Sequence, residues 1–254
     1  MQIKITLKSG LHITALALLI GSPPVQAGCD DPAAPRVNWK GCDKAGIDLS
    51  GMDLRGAVLN SINLEGANLS KTNLRNSYLS RANLSKANLS QAKLIDANLV
   101  GANLNQANLE NVLAKAAKFD RADISGANLN GALLEEAQFY DTDLSNVRLI
   151  KANLSNAAME QANLSNADLS FSNMFKTKLS RANLEDANLT GANLERAQLD
   201  KSFLVNTNLS NSNLSRANLA EAEMINTDVS GAQLDYTTWN NRRRCRSGSI
   251  GECK

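Results

Sequence analysis

Four cysteines are the residues of this 254-residue chain whose type and spacing most directly promise chemistry. Cys29 and Cys42 precede a long regular stretch that contains none, and Cys245 and Cys253 follow it. An even number of thiols in an exported chain reads as disulfides. Redox or metal chemistry finds little support, because there is no C-x-x-C and no histidine near them. The one histidine, His12, lies in a segment expected to be removed, which takes away the commonest general base and metal ligand. Neither a Ser-His-Asp nor a Cys-His arrangement can be assembled, and no phosphate-cradling glycine motif is present. Asp48, Asp53, Asp123, Asp143, Asp168 and Asp228 recur in one column of a repeat, but Asn fills 18 of its 39 positions. That column reads as a hydrogen-bonding ladder, and Glu135-Glu136 as solvated. No cofactor or metal is expected, and the chain reads as a non-enzyme.

The first 27 residues have the layout of a signal peptide (1–27). Lys4 and Lys8 precede an apolar run from Leu11 to Ile20, followed by Pro23-Pro24 and the V-x-A site Val25-Gln26-Ala27. The run is too short to span a bilayer, and no other segment could cross one. Cleavage is predicted after Ala27, with export to a bacterial periplasm or beyond. Lipidation at Cys29 is the alternative; Gln26-Ala27-Gly28 lacks the Leu-like residue expected three before such a cysteine.

What must position everything else is a period of five. Every fifth residue from Leu49 to Trp239 is large and apolar except Ala114, giving 39 unbroken pentads, 30 of them centred on Leu. With the centre called i, position i−2 is small or apolar and i−1 is mostly Asn or Asp, as in Ala82-Asn83-Leu84-Ser85-Lys86. Neither a strand (period 2) nor a helix (period 3.6) fits. A short extended segment followed by a corner does: i−2 and i point inward, i−1 outward, and four corners close a coil, so residues 20 apart stack. One pentad cannot fold alone. Burying a Leu contributes ~1.5–3 kcal/mol, whereas ordering five residues costs ~5–10 kcal/mol, so neighbouring coils must supply the rest.

This pattern resembles the pentapeptide-repeat family over residues 47–241. The resemblance implies an all-β, right-handed quadrilateral β-helix of about ten coils, a rod on the order of 47 Å long at ~4.8 Å per coil. Phe119, Phe139 and Met159, spaced by 20, are then expected to stack on one inner face, with Ala114 compensating for volume in the coil of Phe119.

Residues 28–46 are expected to form an N-terminal cap and 242–254 a basic C-terminal cap, each with a cysteine pair. Bridged Cα atoms must lie within ~7 Å, so the rod's length excludes end-to-end bridges and leaves Cys29–Cys42 and Cys245–Cys253. Trp39 with the Pro32/Pro35 segment is expected to cover the first coil, and Trp239 to plug the last.

Charge bears on the best-known role of the family, mimicry of B-DNA in gyrase inhibition. Removing the signal leaves 25 basic and 25 acidic residues, and residues 46–241 carry 17 basic against 21 acidic. That is not the dense negative field a mimic needs. Nor does the sequence show the basic stripe or stacking aromatics of a nucleic-acid binder. The expected partner is a protein or a second copy of the chain, not nucleic acid. Outward apolar residues mark candidate faces: Leu113 and Leu133, 20 apart, with Ile95 and Phe175 above and below; and Phe203, Val205 and Ile225. Tyr78, Tyr140, Phe171 and Tyr236 are scattered. The alternative is a secreted effector or envelope-surface binder that contacts an anionic surface weakly through Arg242, Arg243, Arg244 and Arg246.

Overall fold

The computed structural model describes residues 28–254. The expected signal segment, with His12, lies outside the described residues. Parallel bridges join residues 20 apart without a gap from Asn38↔Val58 to Asn218↔Thr238. Each coil therefore has four five-residue faces. The β character resides in single bridged residues, one per face, and no longer strand forms among the described residues.

One pentad shows why the sequence closes this way. Ala67 N–H donates to Leu64 C=O at 3.0 Å, closing a corner whose third residue, Gly66, has φ 63°. A positive φ at that position alone is the mark of a type II turn. Leu64 N–H donates to Asn83 C=O (2.7 Å), Gly66 N–H to Ser85 C=O (2.9 Å) and Asn63 N–H to Cys42 C=O (2.9 Å). The fifth N–H, of Glu65, donates to Oδ1 of Asn63 at 3.2 Å. Every backbone donor of the pentad is thus paired, and the last pairing explains the Asn/Asp column: its oxygen is an acceptor that no backbone carbonyl supplies. The same side chains also link coils. Asn83 Nδ2 donates to Asn63 Oδ1 (3.0 Å), and a second column runs from Asp48 through Asn68, Asn88 and Asn108 to Asn128.

Most corners hold a non-glycine residue at positive φ, from Arg36 to Tyr236, a conformation that costs L-residues ~1–2 kcal/mol. The ladder bonds on either side hold them there. At Gly191 the missing side chain makes room: a Cβ there would lie 2.8 Å from the present position of the Phe171 ring in the coil below. The exposed Phe171 ring is therefore seated on the bare backbone of its neighbour.

Inside, the centre column is buried from Leu49 to Leu219. Phe119 and Phe139 stack with ring centroids 5.0 Å apart and planes within 5°, as their spacing predicts, and Ala114 is fully buried in the coil of Phe119. Thr enters the i−2 column because its hydroxyl has a partner: Oγ1 of Thr72, Thr142, Thr177 and Thr207 donates to a centre-residue carbonyl of the coil below at 2.7–2.9 Å. Ser172 and Ser212 are buried without such a bond.

The coil begins earlier than the sequence pattern suggests. Asn38 and Asp43 already bridge to Val58 and Asn63, so much of the segment expected to be a separate cap (28–46) is itself coil. Trp39, 2% exposed, occupies a centre position, with Val37 and Cys42 at i−2. The next centre is Lys44. It is half-buried and its ammonium sits 4.5 Å from the Trp39 ring centroid, which lets a cation end an apolar column. At the other end the chain reverses. Thr238 pairs antiparallel with Arg244, and Gln233 with Ile250. Trp239 is only half-buried.

Candidate functional site

The cysteines pair as the rod's length requires. Cys29–Cys42 has a Cα separation of 5.5 Å and Cys245–Cys253 one of 4.8 Å. The first bridge holds the chain ahead of the first coil, where Trp39 Nε1 donates to Asp31 C=O at 3.1 Å. The second closes the returning tail, with Cys245 buried.

Leu113 and Leu133 bridge each other directly on one face, with Leu133 41% exposed and Leu113 half-buried. They have a backbone consequence. Where Asn or Asp stands at i−1, its oxygen generally receives the N–H two residues on; Asn73, whose Oδ1 is buried without a partner, is an exception. Leu113 and Leu133 offer no acceptor, and the N–H groups of Lys115 and Glu135 have no protein partner among the described residues. Of the residues grouped with them, Ile95 lies one coil below Leu113. Phe175 is separated from Leu133 by the coil containing Asn153 and Ser155. Its ring is approached by the Lys176 ammonium at 5.1 Å and the Arg196 guanidinium at 5.9 Å. The apolar face is thus the bridged Leu113/Leu133 pair with Ile95 beside it, and Phe175 belongs to a cation–π cluster.

Phe203, Val205 and Ile225 form the second group. Asp186 N–H donates to Val205 C=O and Asn206 N–H to Ile225 C=O, so Val205 and Ile225 stack in one column, with Phe203 47% and Ile225 53% exposed. They lie at the C-terminal end of the rod.

The arginine tail is folded onto the last coil. Arg242 is ion-paired with Glu221, which Lys201 also approaches at 3.8 Å. The Arg242 hydrogen bond, with the charges of Arg242 and Lys201, holds the Glu221 carboxyl below the usual carboxylate range. Arg243 donates to Cys253 C=O at 3.2 Å. Arg244 lies 5.6 Å and Arg216 6.0 Å from the Tyr236 ring centroid. Arg246 lines a solvent-open hollow with Tyr236, Arg244, Cys245 and Ser247.

The aspartates of the i−1 column accept backbone bonds. Asp48 and Asp228 are held below their ordinary range first by the N–H groups of Ser50 and Ser230, and Asp53 by the Arg55 guanidinium. Glu135 accepts from Asn153 Nδ2 and Glu136 pairs with Lys115 at 3.3 Å. Asp123 and Asp143 stand next to each other on successive coils of one column, each accepting the N–H of a serine two residues on, Ser125 and Ser145. Among the described residues no three metal-ligating side chains converge, and no helix is long and apolar enough to cross a membrane.

Sequence reasoning missed one constellation. Arg36, Arg55 and Arg75 line a common hollow with Gly56, Val58, Asn76 and Tyr78. Its only signal is visible when residues about 20 apart are set side by side.

Among known proteins, the family model described as pentapeptide repeats matches in 8 copies, over residues 45–81, 72–111, 117–156, 142–181, 176–204 and 202–237. The structure of HetL, a pentapeptide repeat protein involved in heterocyst differentiation regulation from the cyanobacterium Nostoc sp. strain PCC 7120, is 30% identical with a TM-score of 0.77. The match covers 83% of this chain and 92% of that one. Rfr23, a pentapeptide repeat protein from the cyanobacterium Cyanothece 51142, is 30% identical over 43% of this chain and 85% of its own, with a TM-score of 0.25. Full-length QnrB1, a plasmid-mediated fluoroquinolone resistance protein, is 16% identical over 77% of this chain and 92% of its own, with a TM-score of 0.40. The last two superpose too poorly to bear on function. No curated protein sequence matches.

Proposed function

We propose, from the premise that this chain belongs to the pentapeptide-repeat family, whose fold is a right-handed quadrilateral β-helix, that it is a non-catalytic, exported protein-interaction scaffold. On this reading a signal peptide is cleaved after Ala27, the two disulfides form on export, and a stapled rod of about ten coils presents side chains at fixed spacing. The apolar pair Leu113/Leu133 is the binding face.

One observation carries the reading. At these two positions the chain forgoes the side-chain acceptor that most i−1 residues provide, leaves two backbone N–H groups to solvent, and exposes apolar surface instead. Folding alone favours Asn there. An apolar pair on a flat face favours contact with another protein or with a second copy. The non-catalytic part of the reading is supported by an interior filled, among the described residues, by the centre and i−2 side chains.

Leu113→Asn with Leu133→Asn tests it. The double variant should melt within about 0.5 kcal/mol of the wild type or slightly above it, because Asn restores the missing acceptors. The oxidised protein should capture a partner from cell-envelope extract, or self-associate by light scattering, and the variant should not. An unfolded double variant, or a partner retained by it, would overturn the assignment of this face.

A further inference from the structure

We propose that Arg36, Arg55 and Arg75 form a binding site for a phosphate-type oxyanion, carried either on a soluble molecule or on a lipid headgroup. The site goes beyond the scaffold reading and does not depend on it. The three side chains are brought together by stacking of one corner of the rod. Arg36 N–H donates to Arg55 C=O at 2.8 Å and Gly56 N–H donates to Arg75 C=O at 2.9 Å. Successive coils lie ~4.8 Å apart, so the three backbone positions fall within about 10 Å along the edge. Their side chains line one solvent-open hollow together with Tyr78 and Val58.

The charge there is incompletely matched. Asp53 holds Arg55 through its Nε and Nη2, with the shortest contact at 2.7 Å. Neither Arg36 nor Arg75 has an ion pair among the described residues. The Nε–H of Arg75 is buried and donates to nothing. Two guanidinium groups without an ion pair thus line one hollow.

The donor geometry indicates the ligand class. A guanidinium presents parallel N–H groups that match two oxygens at once. A carboxylate has two oxygens and satisfies one such fork, as Asp53 does for Arg55. A tetrahedral oxyanion has enough oxygens to accept from Arg36 and Arg75 together, and its second negative charge offsets both. Tyr78, 51% exposed at the rim, offers a ring and a hydroxyl to the organic part of such a ligand.

The test uses the oxidised protein and two probes: calorimetric titration with pyrophosphate, and sedimentation with phosphatidylglycerol vesicles against phosphatidylcholine vesicles. Saturable binding to at least one probe is expected, weakening as salt is raised. Arg36→Gln with Arg75→Gln should weaken it at least about tenfold. Lys71→Gln with Lys151→Gln removes the same charge from exposed positions on another corner and should leave it within about twofold. Should the arginine double variant fail to fold, Arg75→Lys keeps the charge, loses the fork, and should still weaken binding. Pyrophosphate binding alone assigns the site to a soluble phosphorylated ligand; vesicle binding lost in the arginine variant assigns it to a headgroup. No saturable binding to either probe, or equal weakening by both double variants, would overturn the proposal.

Discussion

At the N-terminal end Trp39 fills a centre position and is 2% exposed, whereas at the C-terminal end Trp239 fills the same position of the repeat and is half-buried. The backbone shows the reverse. Asn38, Asp43, Asp48 and Asp53 begin their columns with no bridge below them, while the returning tail pairs with Thr238 and Gln233 above. One end buries its tryptophan but leaves Ile47 half-buried, Met52 45% exposed and its edges open to solvent. The other covers two edges and leaves part of the core open: Met224 and Val229 are only half-buried, and Glu223 and Asp228 end their columns unbridged among the described residues. A solenoid must close both an apolar interior and a set of open strand edges; in this chain the N-terminal end buries its tryptophan more fully, and the C-terminal end has the returning tail on two of its edges.

The sharpest way to break the comparison is to remove the two tryptophans. Trp39→Ala should cost ~3–5 kcal/mol. Trp239→Ala, giving up only part of a buried ring, should cost ~1–2 kcal/mol. Urea unfolding of both variants checks this, and equal losses would show that the ends are sealed alike. The disulfides come next. Replacing Cys29 and Cys42 by Ser, a separation of 13 residues, should cost ~3 kcal/mol, and replacing Cys245 and Cys253, a separation of 8, somewhat less at ~2.5 kcal/mol. Hydrogen exchange sharpens the result: loss of the C-terminal bridge should speed exchange in the tail and around Glu223–Val229, leaving the middle coils protected.

The smallest effect is that of acid. Asp48 and Asp53 near one end, and Glu221 and Asp228 near the other, titrate below their ordinary values, held there by backbone N–H groups or by Arg55 and Arg242. A lowered folded pKa contributes stability that is present above the unfolded value and lost as pH falls through the folded one. Thermal melts should therefore be flat from pH 8 to pH 5 and fall below about pH 4. Because all four groups are exposed, the fall should be modest and should shrink in high salt. A decline beginning near neutrality would point to other groups.

The interior was legible because period five is stated by nearly every centre from Leu49 to Leu234 and by the small residues two before them. The pairing of the cysteines followed from rod length alone. The first coil was not legible. A rule of apolar centres stops at Lys44, and only the structure shows the lysine lying over Trp39 and extending the column outward. Leu113 and Leu133 could be placed on one face by their spacing of 20, with Phe175 two coils beyond on the same face, but the cations set against the Phe175 ring depend on how Lys176 and Arg196 reach, which spacing does not specify. The arginine hollow was hidden for the opposite reason. Arg36, Arg55 and Arg75 each look like a solitary surface base, because a 20-residue coil scatters along the chain what it gathers in space. The step of 19 from Arg36 to Arg55 also crosses from one corner column to the next.

The 20-residue register has a consequence for how such a chain can change length. Inserting or deleting four pentads restores every column, so the rod grows or shrinks without altering what shares an edge. A single pentad acts as a dial: everything beyond it is rotated by a quarter turn. In this chain Arg36 and Tyr236 are 200 residues apart, a whole number of coils, so the arginine hollow and the ring beneath Arg244 lie along the same edge. Loss of five residues from the middle would preserve the core, the ladder and both staples, yet send the two ends to adjacent sides of the rod.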